Sequence, residues 1–175
     1  MKAALEFPER ISKLTLISPT PRFFESEDWP HGISASVFDR LLRITQKKYA
    51  VGLVSFLQMQ LPDETNQQLI DQLFQCIHDS RPTDEALQTG YATLRDSDLR
   101  NQLTEITVPT QVIAANEDNI ISPAASRFCA EQIPNSIFVS LGSSHCLPAT
   151  QPKKLAELIS SFTKGDNIDL SLIHI

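Results

Sequence analysis

Three short apolar runs stand out from a chain whose other hydrophobic positions recur at helical spacing. Ile11–Ser18, Val108–Ala115 and Ser136–Leu141 each predict a strand, bounded by proline, glycine or polar clusters. Met1 to Phe7 reads as the last turns of a helix, broken by Pro8-Glu9-Arg10 before the first strand. Between the first two strands, from about Ser34 to Leu94, only helical patterning is found. Val37, Leu41, Ile44 and Lys48 form one set, and Leu53, Phe56, Leu57 and Gln60 the next. Leu61-Pro62-Asp63 predicts a third start, followed by Leu69, Leu73, Phe74 and Ile77, and Pro82-Thr83-Asp84 a fourth, followed by Leu87, Tyr91 and Leu94. Such an excursion is too long for an ordinary crossover and predicts an inserted helical cap. Asp98–Leu103 predicts a brief helical turn, and helices are expected over Pro123–Gln132 and Pro152–Phe162.

Strands alternating with helices imply a parallel sheet covered on both faces. The expected class is α/β, with about three parallel strands. The expected division places the core at residues 1–20 and 95–164, the cap at 21–94, and a disordered or non-native tail at 165–175. A chain that opens on a helix tail feeding a strand looks like the second half of a strand–helix–strand unit, and therefore like the middle of a fold.

Composition adds bounds. The 175 residues suit one domain, and the net charge of −6 argues against a nucleic-acid partner. No apolar run approaches the roughly 20 residues of a membrane span, and residues 1–6 do not read as a signal peptide, so the expected setting is the cytoplasm. Charge is nonetheless uneven. Residues 1–60 carry 8 Lys/Arg against 6 Asp/Glu, with Arg40, Arg43, Lys47 and Lys48 as the local excess. A solvated helix face would look the same. Cys76, Cys129 and Cys146 follow no metal or redox spacing, and the four histidines form no close ligand pair. No metal and no cofactor is expected.

The candidate chemistry lies where the second and third strands end. Asp118 follows one in the turn Asn116-Glu117-Asp118-Asn119, and His145 follows the other after Gly142-Ser143-Ser144. An acid and a histidine just past neighbouring strands are two members of a hydrolytic triad: a general base and the carboxylate that orients it. Glu117 could do the same chemistry as Asp118, and either acid could simply be a turn or helix-capping residue. The nucleophile of such a site sits in a G-x-S-x-G turn, yet none of the glycines at 32, 52, 90, 142 and 165 has another four positions away. Ser18 follows a strand but leads into Pro19-Thr20-Pro21 rather than a helix, and Cys146 reads as packing.

These residues resemble the C-terminal half of an α/β-hydrolase. Within that superfamily the chain is similar to the pimeloyl-acyl-carrier-protein methyl ester carboxylesterases of biotin synthesis. The likeness runs through Pro8-Glu9-Arg10, Ser18-Pro19, Asp28-Trp29-Pro30-His31-Gly32-Ile33, Phe56-Leu57-Gln58-Met59-Gln60 and Asp98-Leu99-Arg100 to His145 and Pro152, over residues 1 to about 163. It implies a serine esterase with His145 and Asp118 catalytic, whose nucleophile and oxyanion hole lie outside these residues. On that reading the chain is inactive alone. The resemblance also implies an acyl ester substrate in an apolar channel, with Phe23, Trp29 and Phe56 as substrate-binding candidates beside Phe24 and Leu57. Acyl carrier protein would dock on a basic cap face, for which Arg40, Arg43, Lys47 and Lys48 are available. A non-catalytic binding module and another reaction of the same fold (C–C bond, lactone or perhydrolase chemistry) are the alternatives.

Overall fold

A computed structural model describes residues 1–61, 67–142 and 144–165. The elements run α1 (Lys2–Glu6), β1 (Leu14–Ile17), α2 (Ala35–Lys47), α3 (Tyr49–Gln60), α4 (Gln67–Ile77), α5 (Asp84–Asp96), β2 (Thr110–Ala114), α6 (Pro123–Gln132), β3 (Ser136–Ser140), α7 (Leu147–Thr150) and α8 (Pro152–Lys164). The three strands form one parallel sheet in the order β1-β2-β3, with Leu14 opposite Thr110 and Thr110 opposite Ser136.

All five residues of the central strand β2 are buried. Alternation sends Ile113, with Val139 of β3, toward Leu147, Leu155 and Leu158 of α7 and α8. On the other face Leu14 and Leu16 pack with Ala4, Leu103, Ile106, Cys129 and Ile133. Buried Gln111 is satisfied, donating to the Leu158 carbonyl at 3.3 Å and accepting from the Thr15 hydroxyl at 3.4 Å. The parallel sheet therefore has helices on both faces.

The strands are shorter than the apolar runs. Pro109 lacks an N–H and precedes the start of β2, although its carbonyl accepts from the Leu14 amide at 2.9 Å. At the other end of β1, Ser18 turns to φ +43°, which breaks the extended backbone. The helix over Pro123–Gln132 starts and ends as expected, but its N-cap is Ser122, whose hydroxyl accepts from the Ala124 amide, and not Asp118. Helix α8 runs two residues beyond Phe162 and is closed by Gly165 at φ +81°. Lys13 donates to the last-turn carbonyls of Phe162 and Thr163, tying β1 to the same end. The third expected helix start, at Leu61-Pro62-Asp63, and the tail beyond Gly165 lie outside the described residues apart from Leu61.

Helices α2–α5 fill the segment between β1 and β2. At the α2–α3 contact a Cβ on Gly52 would lie 2.2 Å from the Thr45 hydroxyl oxygen and 2.5 Å from the Thr45 Cα, so glycine permits the close approach. Leu53, Leu57, Leu61 and Ile70 make a separate apolar cluster that Cys146 joins from the β3–α7 side. Aromatic residues form the junction with the sheet. Phe23, Phe24 and Trp29 pack with Ile120, Ile121 and Ala125, and with Phe38, Met59, Tyr91 and Phe128 around them.

Candidate active site

The sheet brings the two candidate residues together at the carboxyl ends of its strands, where side chains of parallel α/β sheets gather around ligands. His145 Nδ1 lies 2.8 Å from Asp118 Oδ2, although 27 residues separate them in the chain. Glu117 is exposed, and the carboxylate paired with His145 is that of Asp118.

Asp118 is held from both sides. Its Oδ1 accepts hydrogen bonds from the Ile120 and Ile121 amides, each at 2.8 Å, so the carboxylate closes its own turn. Only 1% of its side chain is exposed, against 25% for His145. Burial pushes the Asp118 carboxyl up, but the hydrogen bonds from His145 and from the Ile121 and Ile120 amides outweigh it and hold the group below its ordinary value. Asp118 is thus an anion fixed against Nδ1. That pairing leaves Nε2 with the free lone pair when the ring is neutral and its proton sits on Nδ1.

The loop bearing His145 is braced from beneath. The Ser140 hydroxyl donates to the Asn116 side-chain carbonyl, and the Asn116 amide donates to the Gly142 carbonyl at 2.8 Å, so the segments leading to Asp118 and His145 are bound to each other. Gly142 has φ +63°, and a Cβ there would crowd Gln151 at 3.0 Å and Leu147 at 3.2 Å. Buried Ser144 pairs its hydroxyl with that of Thr150 at 3.1 Å, anchoring the residue before His145 to α7. Burial raises the Cys146 thiol above its usual range, and its neighbours in the α3–α4 cluster make it packing.

The three substrate-binding candidates fall in different places. Trp29 is 2% exposed, its indole Nε1 donates to the Arg22 carbonyl at 3.0 Å, and Arg100 stacks over its ring. Phe23 packs edge-on to Phe24 and Phe38. Both belong to the junction cluster with Ile120 and Ile121, the residues whose amides hold Asp118. Phe56 instead lines an apolar cavity of about 450 Å³ between α2, α3 and α5, with Phe38, Leu53, Leu87 and Tyr91 among its walls. Neither Phe23, Trp29, Asp118 nor His145 lines it. Arg40, Arg43, Lys47 and Lys48 are exposed on one side of α2 around Ile44.

Sequence reasoning missed the Ile120 and Ile121 amides, the Asn116–Ser140 brace and helix α7. An acid two and three residues ahead of amides is a recognisable turn signature, and it was available at Asp118. The brace depends on register between β2 and β3, which periodicity does not give.

Residues 1–152 match a family model described as alpha/beta hydrolase fold. Among curated relatives, a pimeloyl-[acyl-carrier protein] methyl ester esterase of Nitrosomonas europaea is 28% identical over 141 residues, covering 79% of this chain and 56% of its own length. One of the same name from Stenotrophomonas maltophilia is 30% identical, covering 74% of this chain and 51% of its own. The chain thus spans about half the length of these relatives. Among solved structures, an esterase from Exiguobacterium antarcticum superposes with a TM-score of 0.79 at 25% identity, over 92% of this chain and 62% of that one. An enol-lactonase from Burkholderia xenovorans gives 0.76 at 17% identity, over 93% and 60%, a likeness of fold alone.

Proposed function

The chain belongs to the alpha/beta hydrolase fold family, and from that membership we propose that it is the C-terminal part of a serine carboxylesterase acting on pimeloyl-acyl-carrier-protein methyl ester. The observation that carries this reading is the 2.8 Å pairing of His145 Nδ1 with the buried Asp118 carboxylate. The names of the curated relatives support the substrate.

In this reading a serine outside these 175 residues attacks the ester carbonyl. His145 Nε2 takes the hydroxyl proton and returns it to the departing methoxide, giving methanol and an acyl-enzyme. Water repeats the sequence through the same nitrogen and releases the acid. Asp118 keeps the ring in the working tautomer and stabilises the imidazolium; it takes no proton itself. Residues 21–94 act as the cap over residues 1–20 and 95–164. The apolar cavity beside Phe56 and the aromatic junction of Phe23 and Trp29 suit an aliphatic acyl chain. The exposed cations Arg40, Arg43, Lys47 and Lys48 suit an acidic carrier protein.

The coding DNA upstream of Met1 should encode G-x-S-x-G in frame, roughly seven residues away if α1 is the helix that follows the nucleophile. The longer product should release methanol from the methyl ester of a pimeloyl thioester and leave the thioester intact, and a serine-directed fluorophosphonate should label it but not the 175-residue chain. Labelling of the 175-residue chain would overturn the placement of the nucleophile. Absence of turnover by the longer product would overturn the esterase. Charge reversal at Arg40 and Arg43 should raise KM for the carrier-bound ester while sparing a free short ester.

A further inference from the structure

Ser18 carries two costs that its surroundings do not remove. It is the one described residue other than glycine with positive φ, at +43°, a conformation that a Cβ opposes. Its hydroxyl is buried, with the residue 7% exposed, and it is the one buried side-chain oxygen or nitrogen without a hydrogen-bond partner among the described residues.

The strain is held in place from outside. The Ser18 amide donates to the Ile113 carbonyl at 2.7 Å. The Pro19 carbonyl accepts from the Ser126 hydroxyl at 2.8 Å, and the Pro21 carbonyl from the Leu99 amide at 2.8 Å. Strain fixed in this way gathers at functional sites, and the inference runs from the outlier to the function.

Position supplies the third part. Ser18 follows Ile17, which is in register with Ile113 of β2, itself in register with Val139 of β3. Ser18, the Asp118 turn and the His145 loop therefore all leave the sheet at its carboxyl edge, the first two from adjacent strands about 4.8 Å apart. Ser126, which grips the turn after Ser18, lies on the helix that follows the Asp118 loop.

We propose that Ser18 is a substrate-binding residue whose hydroxyl donates a hydrogen bond to an oxygen of the ester group lying beside the Asp118–His145 pair. This rests on the ester-hydrolase reading above and adds a contact on the β1 side of the site. Glycine at this position would remove both costs, so a serine that pays them is one whose oxygen is used when ligand is bound.

The test compares Ser18→Ala, which keeps the Cβ strain and deletes only the oxygen, with Ser18→Gly, which removes both. Methyl hexanoate is titrated into the 175-residue chain and its variants by ligand-observed saturation-transfer NMR, with thermal unfolding recorded in parallel. Ser18→Ala should bind the ester about fivefold or more weakly, as expected for one lost hydrogen bond, and melt no lower than the parent. Ser18→Gly should bind as weakly and melt higher. Equal binding by Ser18→Ala, no binding by the parent, or a melting temperature that falls in both variants would overturn the proposal, the last by making the hydroxyl structural. Hydrolysis by the longer product is read separately. Ser18-dependent binding without turnover there would sink the esterase and leave the ester contact standing.

Discussion

The carboxyl edge of the sheet and the helical segment α2–α5 are built on different terms. At the edge, position is set by backbone: two amides on Asp118, an amide-to-carbonyl bond from Asn116 to Gly142, and a fully buried β2 beneath. In the helical segment, α5 has no buried residue and α2 has one, Leu41, and side chains surround a cavity. Backbone hydrogen bonds have one geometry, whereas apolar side chains can repack at small cost. The difference teaches that the Asp118–His145 pairing is fixed by backbone whereas the apolar cavity beside Phe56 has adjustable walls.

The sharpest way to break this contrast is kinetic. In the longer product that the proposed function predicts, Asp118→Asn should lower kcat roughly 10^4-fold and His145→Ala roughly 10^6-fold on a short ester. Phe56→Ala should act mainly on KM, by about tenfold. A large kcat effect from Phe56 would erase the distinction.

Chemical denaturation of the 175-residue chain tests the same contrast in stability. Ile113→Ala should cost about 2–5 kcal/mol, as expected for a side chain with no exposure in the sheet core. Leu87→Ala on the cavity wall should cost less than half of that.

Two glycines sharpen it further. Gly52→Ala meets the Thr45 backbone and should destabilise by about 1–3 kcal/mol. Gly90→Ala, with nothing within 4 Å of its new Cβ, should stabilise α5 by about 0.5–1 kcal/mol.

The smallest effect concerns acid. Asp98, hydrogen-bonded by Arg100 and Arg22, has its carboxyl held down to about 2. Its value in the unfolded chain is about 3.9, so its contribution is present above that pH and is lost as pH falls toward 2. Asp98→Asn should lower stability at and above that pH, neutrality included, and flatten the profile in the window below it. The carboxyl is partly exposed, so solvent screening keeps the effect modest.

Much of the fold was legible because its signals are local. Pro123 and the Ile133-Pro134 break fix α6, and three apolar runs gave three strands in one parallel sheet. The meeting of His145 with Asp118 could be read from their places after strand ends, since parallel topology brings such ends together. Phe23 and Trp29 illustrate what was not legible. Aromatic residues in a loop announce burial, but whether they line a cavity or fill a junction depends on which helices return against them. Ser18 was visible only as a serine after a strand. Its backbone angle arises from the bonds on either side of it, and no sequence pattern encodes those.

Trp29 has an optical consequence. It is the chain's one tryptophan, and it sits where the β1–α2 loop, α6 and the Arg100 turn meet. Intrinsic fluorescence therefore watches a single place. Emission from this buried indole should lie to the blue and shift red when the junction opens. Far-ultraviolet circular dichroism, by contrast, reports all the helices. If the fluorescence shift comes first during unfolding, the aromatic junction parts before the helices melt, and the protein supplies its own label for that event.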